Sequence, residues 1–381
     1  MKRLAAAALL MLILLQPGCG SIEINQASVP IGMALDYQAG QIHLAVQMAN
    51  PTSPEQSGGQ GPRFFILTST GRTMIEATRN IMLSFPRRPL WSQTGLYIFG
   101  EDFARSDMDM FADGVTRSRF IRKNIPIVVA HGATAEEVIN VKPLIEPYTS
   151  TAIRDLLQTQ ESQLGIYTPV TMIEFVDRLS APGVEPVLPM ITIDRSSEKE
   201  KLLLDGMAVF KDRKMIGSLN EPESRGYRLL SPKMIQGGLF LIRSPQDENG
   251  WITLELSRSQ AKITPLLEGS QITMQIELKA EGNFYEQTGT GELFSLPVFT
   301  QLNALASQEL EQEIRQCIGQ AQTLNSDFLG WGQIIQASHP QSWKELEPVW
   351  DQVFPNIQAD VKVDFHIRRS YLTDTSFTFR E

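Results

Sequence analysis

The first nineteen residues constrain this chain most, because they decide on which side of a membrane the remainder must fold. Met1-Lys2-Arg3 is a cationic start, and Leu4 to Leu15 is an unbroken run of Ala, Leu, Met and Ile. Such a run makes a helix of about 18 Å, whereas the hydrocarbon of a bilayer is about 30 Å thick. Residues 1–18 are therefore predicted to be a cleaved signal peptide and not a permanent membrane span.

A cysteine follows the apolar run at the position where a lipoprotein signal is cut. Gly18 and Cys19 match the bacterial lipobox, whereas Gln16 and Pro17 depart from its usual leucine and small residue. A thiol here can be alkylated by a diacylglyceryl group, and two acyl chains hold a protein durably at a membrane. We expect Cys19 to be the lipid attachment site and residues 19–28 to form the lipidated N-terminus and a short leash. An ordinary secretory signal that contains a cysteine is the alternative.

Cysteine usage and composition bound the rest of the chain. The other cysteine is Cys317, so a lipidated Cys19 leaves no intramolecular disulfide and the exported body must rely on its core. Cys317 lies on the apolar face of a helix predicted near residues 302–322, which favours a buried structural thiol. With 42% hydrophobic and 20% charged residues, the composition is typical of a globular protein. The formal net charge of −9 argues against a nucleic-acid partner.

Residues 29–196 alternate between predicted strands and helices, which indicates an N-terminal mixed α/β domain. A β-hairpin is predicted over residues 31–48, because large apolar residues recur at every second position of its second strand. These inward residues are Ile42, Leu44, Val46 and Met48. A helix is predicted over residues 73–85, and its apolar positions include Ile75, Met82 and Phe85.

Two further parts are predicted to follow. Residues 197–240 form a middle segment or small domain around a hairpin at residues 202–217, which has a charged tip. Residues 241–381 form a C-terminal domain, in which the alternation within residues 251–285 is typical of an antiparallel sheet with one wet face. The predicted fold class is multidomain α+β, with two to three mixed α/β domains and a C-terminal antiparallel sheet packed with long helices.

Several short segments occur in an order that spans nearly the whole chain. These segments are Gly18-Cys19, Ile31-Gly-Met-Ala-Leu-Asp36, Gly71-Arg-Thr-Met-Ile-Glu-Ala77, Leu96-Tyr-Ile-Phe-Gly-Glu-Asp-Phe-Ala104, Asp205-Gly-Met-Ala-Val-Phe-Lys211, and Asp327-Phe-Leu-Gly-Trp-Gly332 with Trp343 and Trp350. Together they resemble the C-subunit lipoproteins of spore germination receptors, the Ger(x)C family. The chain departs from the family after the cysteine, where Gly20-Ser21 stand in place of the usual Trp-Asp.

The resemblance implies a location and partners. It implies a lipid-anchored α+β body on the outer face of the inner spore membrane. It also implies assembly with a polytopic A subunit and a transporter-like B subunit, in a germinant receptor that responds to nutrients. The diacylglyceryl group at Cys19 would then be the subunit's own link to the membrane.

The residues themselves give little support for catalysis. The four histidines, His43, His131, His339 and His366, are scattered, without the spacing of a metal-binding motif. No Gly-x-Ser-x-Gly nucleophile elbow and no phosphate-binding glycine loop occurs. We therefore expect no catalytic residues, no metal site and no cofactor.

Positive charge is concentrated in two segments of this acidic chain. The first comprises Arg87, Arg88 and Trp91, and the second comprises Arg117, Arg119 and Arg122. Arginine and tryptophan are favoured at interfaces, so one of these segments is expected to contact a partner subunit or lipid headgroups. The alternative for each segment is a solvated surface with local ion pairs.

Two functions of different classes follow from these observations. The preferred one is a lipid-anchored, non-catalytic C subunit that is needed for receptor assembly or signalling in spore germination. The alternative is a free-standing extracytoplasmic lipoprotein that binds a solute. Solute-binding proteins usually have two lobes of parallel α/β character, whereas the strands of residues 251–278 favour an antiparallel sheet.

Overall fold

The computed structural model describes Glu23 and residues 26–50, 63–269, 271–291, 293 and 295–369. The predicted signal peptide, the proposed lipid site Cys19 and most of the glycine-rich loop at residues 50–62 lie outside the described residues. The described chain forms mixed α and β layers in both halves, which confirms the predicted α+β class. No helix of this described part is long and apolar enough to cross a membrane.

The N-terminal half alternates short strands with short helices. In chain order these are β1 (Ala27–Ser28), β2 (Pro30–Gln38), β3 (Gln41–Ala49), β4 (Phe64–Gly71), α1 (Met74–Asn80), β5 (Arg88–Pro89), β6 (Tyr97–Gly100), α2 (Glu101–Arg105), α3 (Asp109–Arg117), β7 (Ile127–Ala130), α4 (Ala135–Asn140), α5 (Thr149–Gln163), α6 (Met172–Ser180), β8 (Val187–Asp194), β9 (Lys201–Lys211) and β10 (Lys214–Leu219).

Eight of these strands form one mixed sheet in the order β10-β9-β8-β7-β6-β2-β3-β4. The predicted hairpin is confirmed, since β2 and β3 pair antiparallel with Leu35 opposite Leu44 and Tyr37 opposite Ile42. Strands β2, β6, β7 and β8 run parallel. Helices connect β6 to β7 and β7 to β8, whereas β3, β4, α1 and β5 lie between β2 and β6. The small strands β1 and β5 pair in parallel outside this sheet.

The predicted hairpin at residues 202–217 is formed by β9 and β10. Its tip is a tight turn at Asp212 and Arg213, which both have positive φ angles, of 48° and 68°. Strand β9 pairs antiparallel with β8, from Val187 opposite Val209 to Asp194 opposite Lys201. The hairpin therefore forms one edge of the N-terminal sheet.

The C-terminal half combines long strands with a long helix. Its elements are α7 (Glu221–Leu229), β11 (Leu239–Arg243), β12 (Trp251–Glu268), β13 (Gln271–Gln287), α8 (Leu296–Thr323), α9 (Trp331–Ser338), α10 (Pro340–Leu346), α11 (Trp350–Val353) and β14 (Gln358–Arg369). Helix α7 begins with a capping box, in which the Asn220 side chain and Glu223 bond each other's backbone N–H.

The C-terminal sheet has the order β11-β12-β13-β14. The predicted antiparallel pairing is confirmed for β11, β12 and β13. The fourth strand differs from the expectation, because β14 pairs with β13 in parallel, with Ile276 opposite Val361. The chain between them passes through α8, and a crossover helix of this kind brings a strand back in the same direction.

The cores join the two halves of the molecule. One cluster fills a single face of the N-terminal sheet and includes Met33, Leu35, Leu44 and Phe99. The second cluster lies on the other face and continues into the space between the C-terminal sheet and α8. It runs from Ala34, Ala45 and Ile98 to Met274, Ile276, Leu310 and Cys317. Cys317 is fully buried within it, as the helical spacing predicted.

Candidate functional site

The two basic segments predicted from the sequence meet at one cleft. The cleft has a volume of about 490 Å³, and Arg88 and Trp91 of the first segment line it. Ser118, Phe120 and Ile121 of the second segment line it as well. We call it the arginine-rimmed cleft, and further lining residues are Arg79 and Met82 at the opening and Tyr97 on the floor.

Short secondary elements place these residues. Helix α1 starts at an N-cap where the Thr73 hydroxyl accepts a hydrogen bond from the Glu76 backbone N–H at 3.1 Å, and it presents Ile75 and Arg79 to the cleft. Strand β5 and the 3₁₀ turn that begins at Trp91 form the next part of its wall. The second segment follows α3, and the Lys123 ammonium holds it by donating to the Thr116 carbonyl at 3.2 Å.

The arginines of this region differ in their partners. Arg117 pairs with Asp113 at 2.7 Å within α3, and both side chains are well exposed. The Arg119 guanidinium lies 4.9 Å from the centre of the Phe120 ring, which is a cation–π contact. Arg79, Arg88 and Arg122 are exposed and make no ion pair with any residue that the structure describes. Several positive charges at this surface are therefore not neutralised locally.

The wall and floor of the cleft are largely apolar. Met82 is 46% exposed and Phe120 is 54% exposed, and Leu83, which follows Met82, is 87% exposed. Tyr97 is fully buried, and burial raises the pKa of its phenol. Its hydroxyl has no hydrogen-bond partner among the described residues. The cleft thus combines unpaired cations at the rim with large apolar side chains that water can reach.

The structure brings together only part of the predicted set. Arg88 and Trp91 line the cleft, whereas Arg87, Arg117, Arg119 and Arg122 belong to the same two segments without lining it. Sequence reasoning missed Arg79, which lines the cleft, and Leu83, which follows the lining residue Met82. The helix predicted over residues 73–85 could have pointed to this surface, because it carries more apolar residues than one buried face needs. Two of its predicted apolar positions, Ile75 and Met82, are in fact 44% and 46% exposed. Those two residues face the cleft and leave the core to Met74, Ala77 and Ile81.

The histidines form no site with metal-ligand geometry in the described part of the chain. His131 is the one with two carboxylates nearby: its Nδ1 lies 2.8 Å from Glu101 Oε1, and its Nε2 lies 3.9 Å from Asp205 Oδ2. These side chains are partly exposed, so the group is an ordinary polar cluster at the surface. The arginine-rimmed cleft is therefore the candidate functional site that the described residues support best.

Two family models match successive parts of the chain. The model described as "Spore germination protein N-terminal domain" matches residues 20–193, and the model described as "Spore germination B3/ GerAC like, C-terminal" matches residues 205–371. The chain belongs to the Ger(x)C family. The gap between the two models, residues 194–204, contains the end of β8, the loop after it and the start of β9, and these two strands are hydrogen-bonded neighbours. The two regions of this family member therefore share one sheet.

Relatives of similar length support the same assignment. Spore germination protein KC of Bacillus subtilis strain 168 is 24% identical to this chain, over 97% of the chain and 96% of the relative. Spore germination protein B3 of the same organism is 24% identical, over 92% of the chain and 93% of the relative. The crystal structure of the GerBC protein has a TM-score of 0.54 and 21% identity, and covers 88% of this chain and 96% of that one. It shows that the fold is shared.

Proposed function

We propose that this chain is the lipid-anchored, non-catalytic C subunit of a nutrient germinant receptor in spore germination. The observation that carries the proposal is similarity along almost the whole chain to proteins named for spore germination, including proteins KC and B3. The match begins near the predicted lipid site, since the N-terminal family model starts at residue 20.

The subunit would act by position and contact. A diacylglyceryl group on Cys19 would hold it on the outer face of the inner spore membrane, with the A and B membrane subunits as its partners. The arginines and the tryptophan of the two basic segments are the candidate contacts, and the arginine-rimmed cleft is where those segments meet. Neither a cofactor nor a catalytic residue takes part in this proposal.

Spores test the proposal directly. The gene would be deleted and then restored either with the normal chain or with Cys19→Ala. Germination would be followed with nutrients and with a non-nutrient trigger that bypasses the receptors. We expect the deletion to abolish the response to one class of nutrient and to leave the bypass response intact. Cys19→Ala should lower both the nutrient response and the amount of the protein in the membrane fraction.

Cys317→Ala is the matched control, because it removes the chain's other cysteine from the buried core. It should stay in the membrane fraction and keep the nutrient response. A normal nutrient response in the deletion strain would contradict the proposed function unless a second receptor gene is shown to compensate. Thermal stabilisation of the purified body by a small solute would then support the solute-binding alternative.

A further inference from the structure

The chain enters its described body beside the arginine-rimmed cleft. Strand β1 pairs with β5, so that Ala27 lies opposite Arg88 and Ser28 lies opposite Pro89. The Leu90 backbone N–H also donates to the Ser28 carbonyl at 2.9 Å. Eight residue steps join Cys19 to Ala27, and they span at most about 29 Å when fully extended. A lipid at Cys19 would therefore keep the cleft close to a bilayer surface.

The charge of two arginines in the cleft, Arg79 and Arg88, and of Arg122, which follows the lining residue Ile121, suits an anionic surface. Arg79, Arg88 and Arg122 are exposed and make no ion pair with a described residue. In α3, Asp109 pairs with Arg213 and Asp113 pairs with Arg117, so neither neutralises these three arginines. In α1, the Glu76 carboxylate accepts from the Arg72 backbone N–H at 2.7 Å and forms no ion pair with Arg79. A chain of net charge −9 would not adhere broadly to anionic lipid. Binding to such a lipid would therefore depend on this local excess of positive charge.

The apolar residues that line the cleft, and Leu83, which follows the lining residue Met82, suit the interfacial region of a bilayer. Leu83 and Phe120 expose 87% and 54% of their area, and Trp91 is half-buried next to Arg88 in the cleft wall. Large apolar side chains flanked by arginines are the composition of surfaces that lie in the headgroup region. There the apolar groups reach the acyl boundary and the guanidinium groups stay at the level of the phosphates.

We propose that the arginine-rimmed cleft faces the bilayer and binds the headgroups of anionic phospholipids. This rests on the proposed lipid attachment at Cys19. Arg79, Arg88 and Arg122 contact the headgroup phosphates, while Leu83 and Phe120 enter the interfacial layer. The anchor and the cleft together then fix the orientation of the body over the membrane, because two separate attachments restrict rotation that a single flexible leash allows.

A bilayer fits these observations better than a protein partner does. The leash ends at this surface, and its length limits the distance between the cleft and the bilayer that would hold Cys19. No such limit exists for a protein partner. The charged residues that line the cleft, Arg79 and Arg88, are also of one sign, which matches a uniformly anionic surface and needs no pattern of complementary charges. A protein partner at this surface is the competing outcome of the experiment.

The test measures binding of the unacylated chain to vesicles. Residues 20–381 contain every member of both core clusters and lack the lipid site, so binding reports the surface alone. Vesicles of phosphatidylcholine with increasing phosphatidylglycerol would be sedimented with the protein. We expect binding that rises with the anionic fraction and falls with salt, since exposed charges are screened. Binding that is equal on pure phosphatidylcholine would overturn the proposal.

Matched triple variants separate the cleft from overall charge. Arg79→Gln, Arg88→Gln and Arg122→Gln together should weaken binding on the order of a hundredfold, because each basic residue at a surface contributes about fivefold. The control combines Lys233→Gln, Lys262→Gln and Lys344→Gln. These three lysines are exposed in the C-terminal half and form no ion pair with a described residue. The control has the same net charge as the arginine triple variant, but it should bind vesicles as well as the normal chain does. Equal loss in both triple variants would overturn the proposal.

Two further measurements identify the ligand. Leu83→Ser with Phe120→Ser should weaken vesicle binding although the charge is unchanged.

Inorganic phosphate at the same concentration of phosphate groups should not compete with the vesicles. Full competition would mean that the site takes a free phosphate and not a membrane. If the arginine variant keeps vesicle binding but fails to co-purify with the receptor's membrane subunits, the surface is a protein interface and the proposal is wrong.

These outcomes are separable from a failure of the proposed function. Acylation of Cys19 is read independently, by incorporation of labelled palmitate into the protein in cells. Absence of label would remove the proposed anchor and the reason for placing the cleft near a bilayer, and so would overturn both proposals. Normal label with vesicle binding that does not depend on the three arginines would overturn the inference about the cleft alone.

Discussion

The indole Nε1 of Trp350 donates a hydrogen bond to Asp327 Oδ2 at 3.1 Å. The same carboxylate accepts from the backbone N–H of Trp331 at 2.9 Å and of Gly332 at 2.8 Å. Burial raises the pKa of Asp327 to about 7, and these three donors oppose that rise. The Asp327 carbonyl also accepts from the Glu185 backbone N–H at 3.0 Å, so this residue links the C-terminal helices to the N-terminal half.

Removal of this carboxylate should destabilise the whole body. Asp327→Ala leaves three buried N–H donors without an acceptor, and each such group costs about 1–3 kcal/mol. We expect the free energy of unfolding to fall by about 3 kcal/mol or more in urea titrations of the unacylated chain.

Asp113→Ala is the control, since Asp113 is 62% exposed and pairs at 2.7 Å with Arg117, which is 79% exposed. Because exposed ion pairs contribute little, its loss should cost at most about 1 kcal/mol. Equal destabilisation by the two alanine variants would show that the carboxylate of Asp327 has no special structural role.

A close approach of two glycines packs the junction between the halves. A Cβ atom on Gly183 would lie 2.8 Å from the Gly332 Cα and 2.8 Å from Trp343 Cη2, and Gly183 has a φ of +69°. Gly183→Ala should therefore combine backbone strain with overpacking and lower the free energy of unfolding by about 3 kcal/mol. Chemical denaturation measures this change.

Gly269→Ala isolates the backbone contribution to that effect. Gly269 has a similar φ of +60°, but nothing lies within 4 Å of the added Cβ. It should cost about 1 kcal/mol, from the left-handed conformation alone. If Gly183→Ala costs no more than Gly269→Ala, the junction is loose enough to absorb a methyl group and the close approach contributes nothing.

Periodicity predicted the local elements well and their neighbours poorly. The alternation of Ile42, Leu44, Val46 and Met48 identified one buried face of β3, but Gln47 on the other face is fully buried too. Helices α4 and α5 cover that face, and the Gln47 amide bonds Thr149 Oγ1 at 3.0 Å. Strand periodicity could not show this, because the covering layer is about a hundred residues away in the sequence.

The candidate site was predictable in its parts and not as a whole. The residues around Arg88 and around Phe120 stood out by composition, yet about thirty residues separate them. Their meeting depends on the packing of α1, β5 and the segment after α3 around Tyr97, which is a tertiary arrangement. The pairing of Ala27 with Arg88 has the same origin, since two-residue strands carry no periodic signal.

Cys317 should report global unfolding. It is fully buried in the core, and burial raises the pKa of its thiol well above the usual value, so both access and ionisation are suppressed. In the unacylated chain from residue 20 it is the single cysteine. We expect a thiol reagent to react with it only at the rate of unfolding, as measured in increasing urea.

An exposed thiol supplies the comparison for that measurement. Ser197→Cys in a Cys317→Ala background places a thiol at an exposed position between β8 and β9. It should react at once in the absence of denaturant. Fast reaction of Cys317 in the native chain would show that α8 opens locally, well below the free energy of global unfolding.

The pH dependence of stability should contain a contribution from Glu313. This carboxylate lies in α8, 2.5 Å from the Arg225 guanidinium of α7, and burial raises its pKa from 4.5 to about 7 despite that partner. The folded state therefore binds more protons than the unfolded state between about pH 4.5 and 7. Stability from this group is complete below pH 4.5 and is lost as pH rises through 7.

Glu313→Gln should remove that part of the dependence. The free energy of unfolding of the normal chain should fall more steeply from pH 5 to 7 than that of the variant, by at most about 1.4 kcal/mol per pH unit. Glu185 and Asp327 have pKa values raised in the same direction, so some slope should remain.

Glu281→Gln is the control, because the pKa of Glu281 is shifted in the opposite direction. Arg258 and Arg368 lower the pKa of Glu281 to about 2, so its contribution is lost only below pH 4.5. Equal slopes for Glu313→Gln and the normal chain from pH 5 to 7 would mean that Glu313 is ionised throughout.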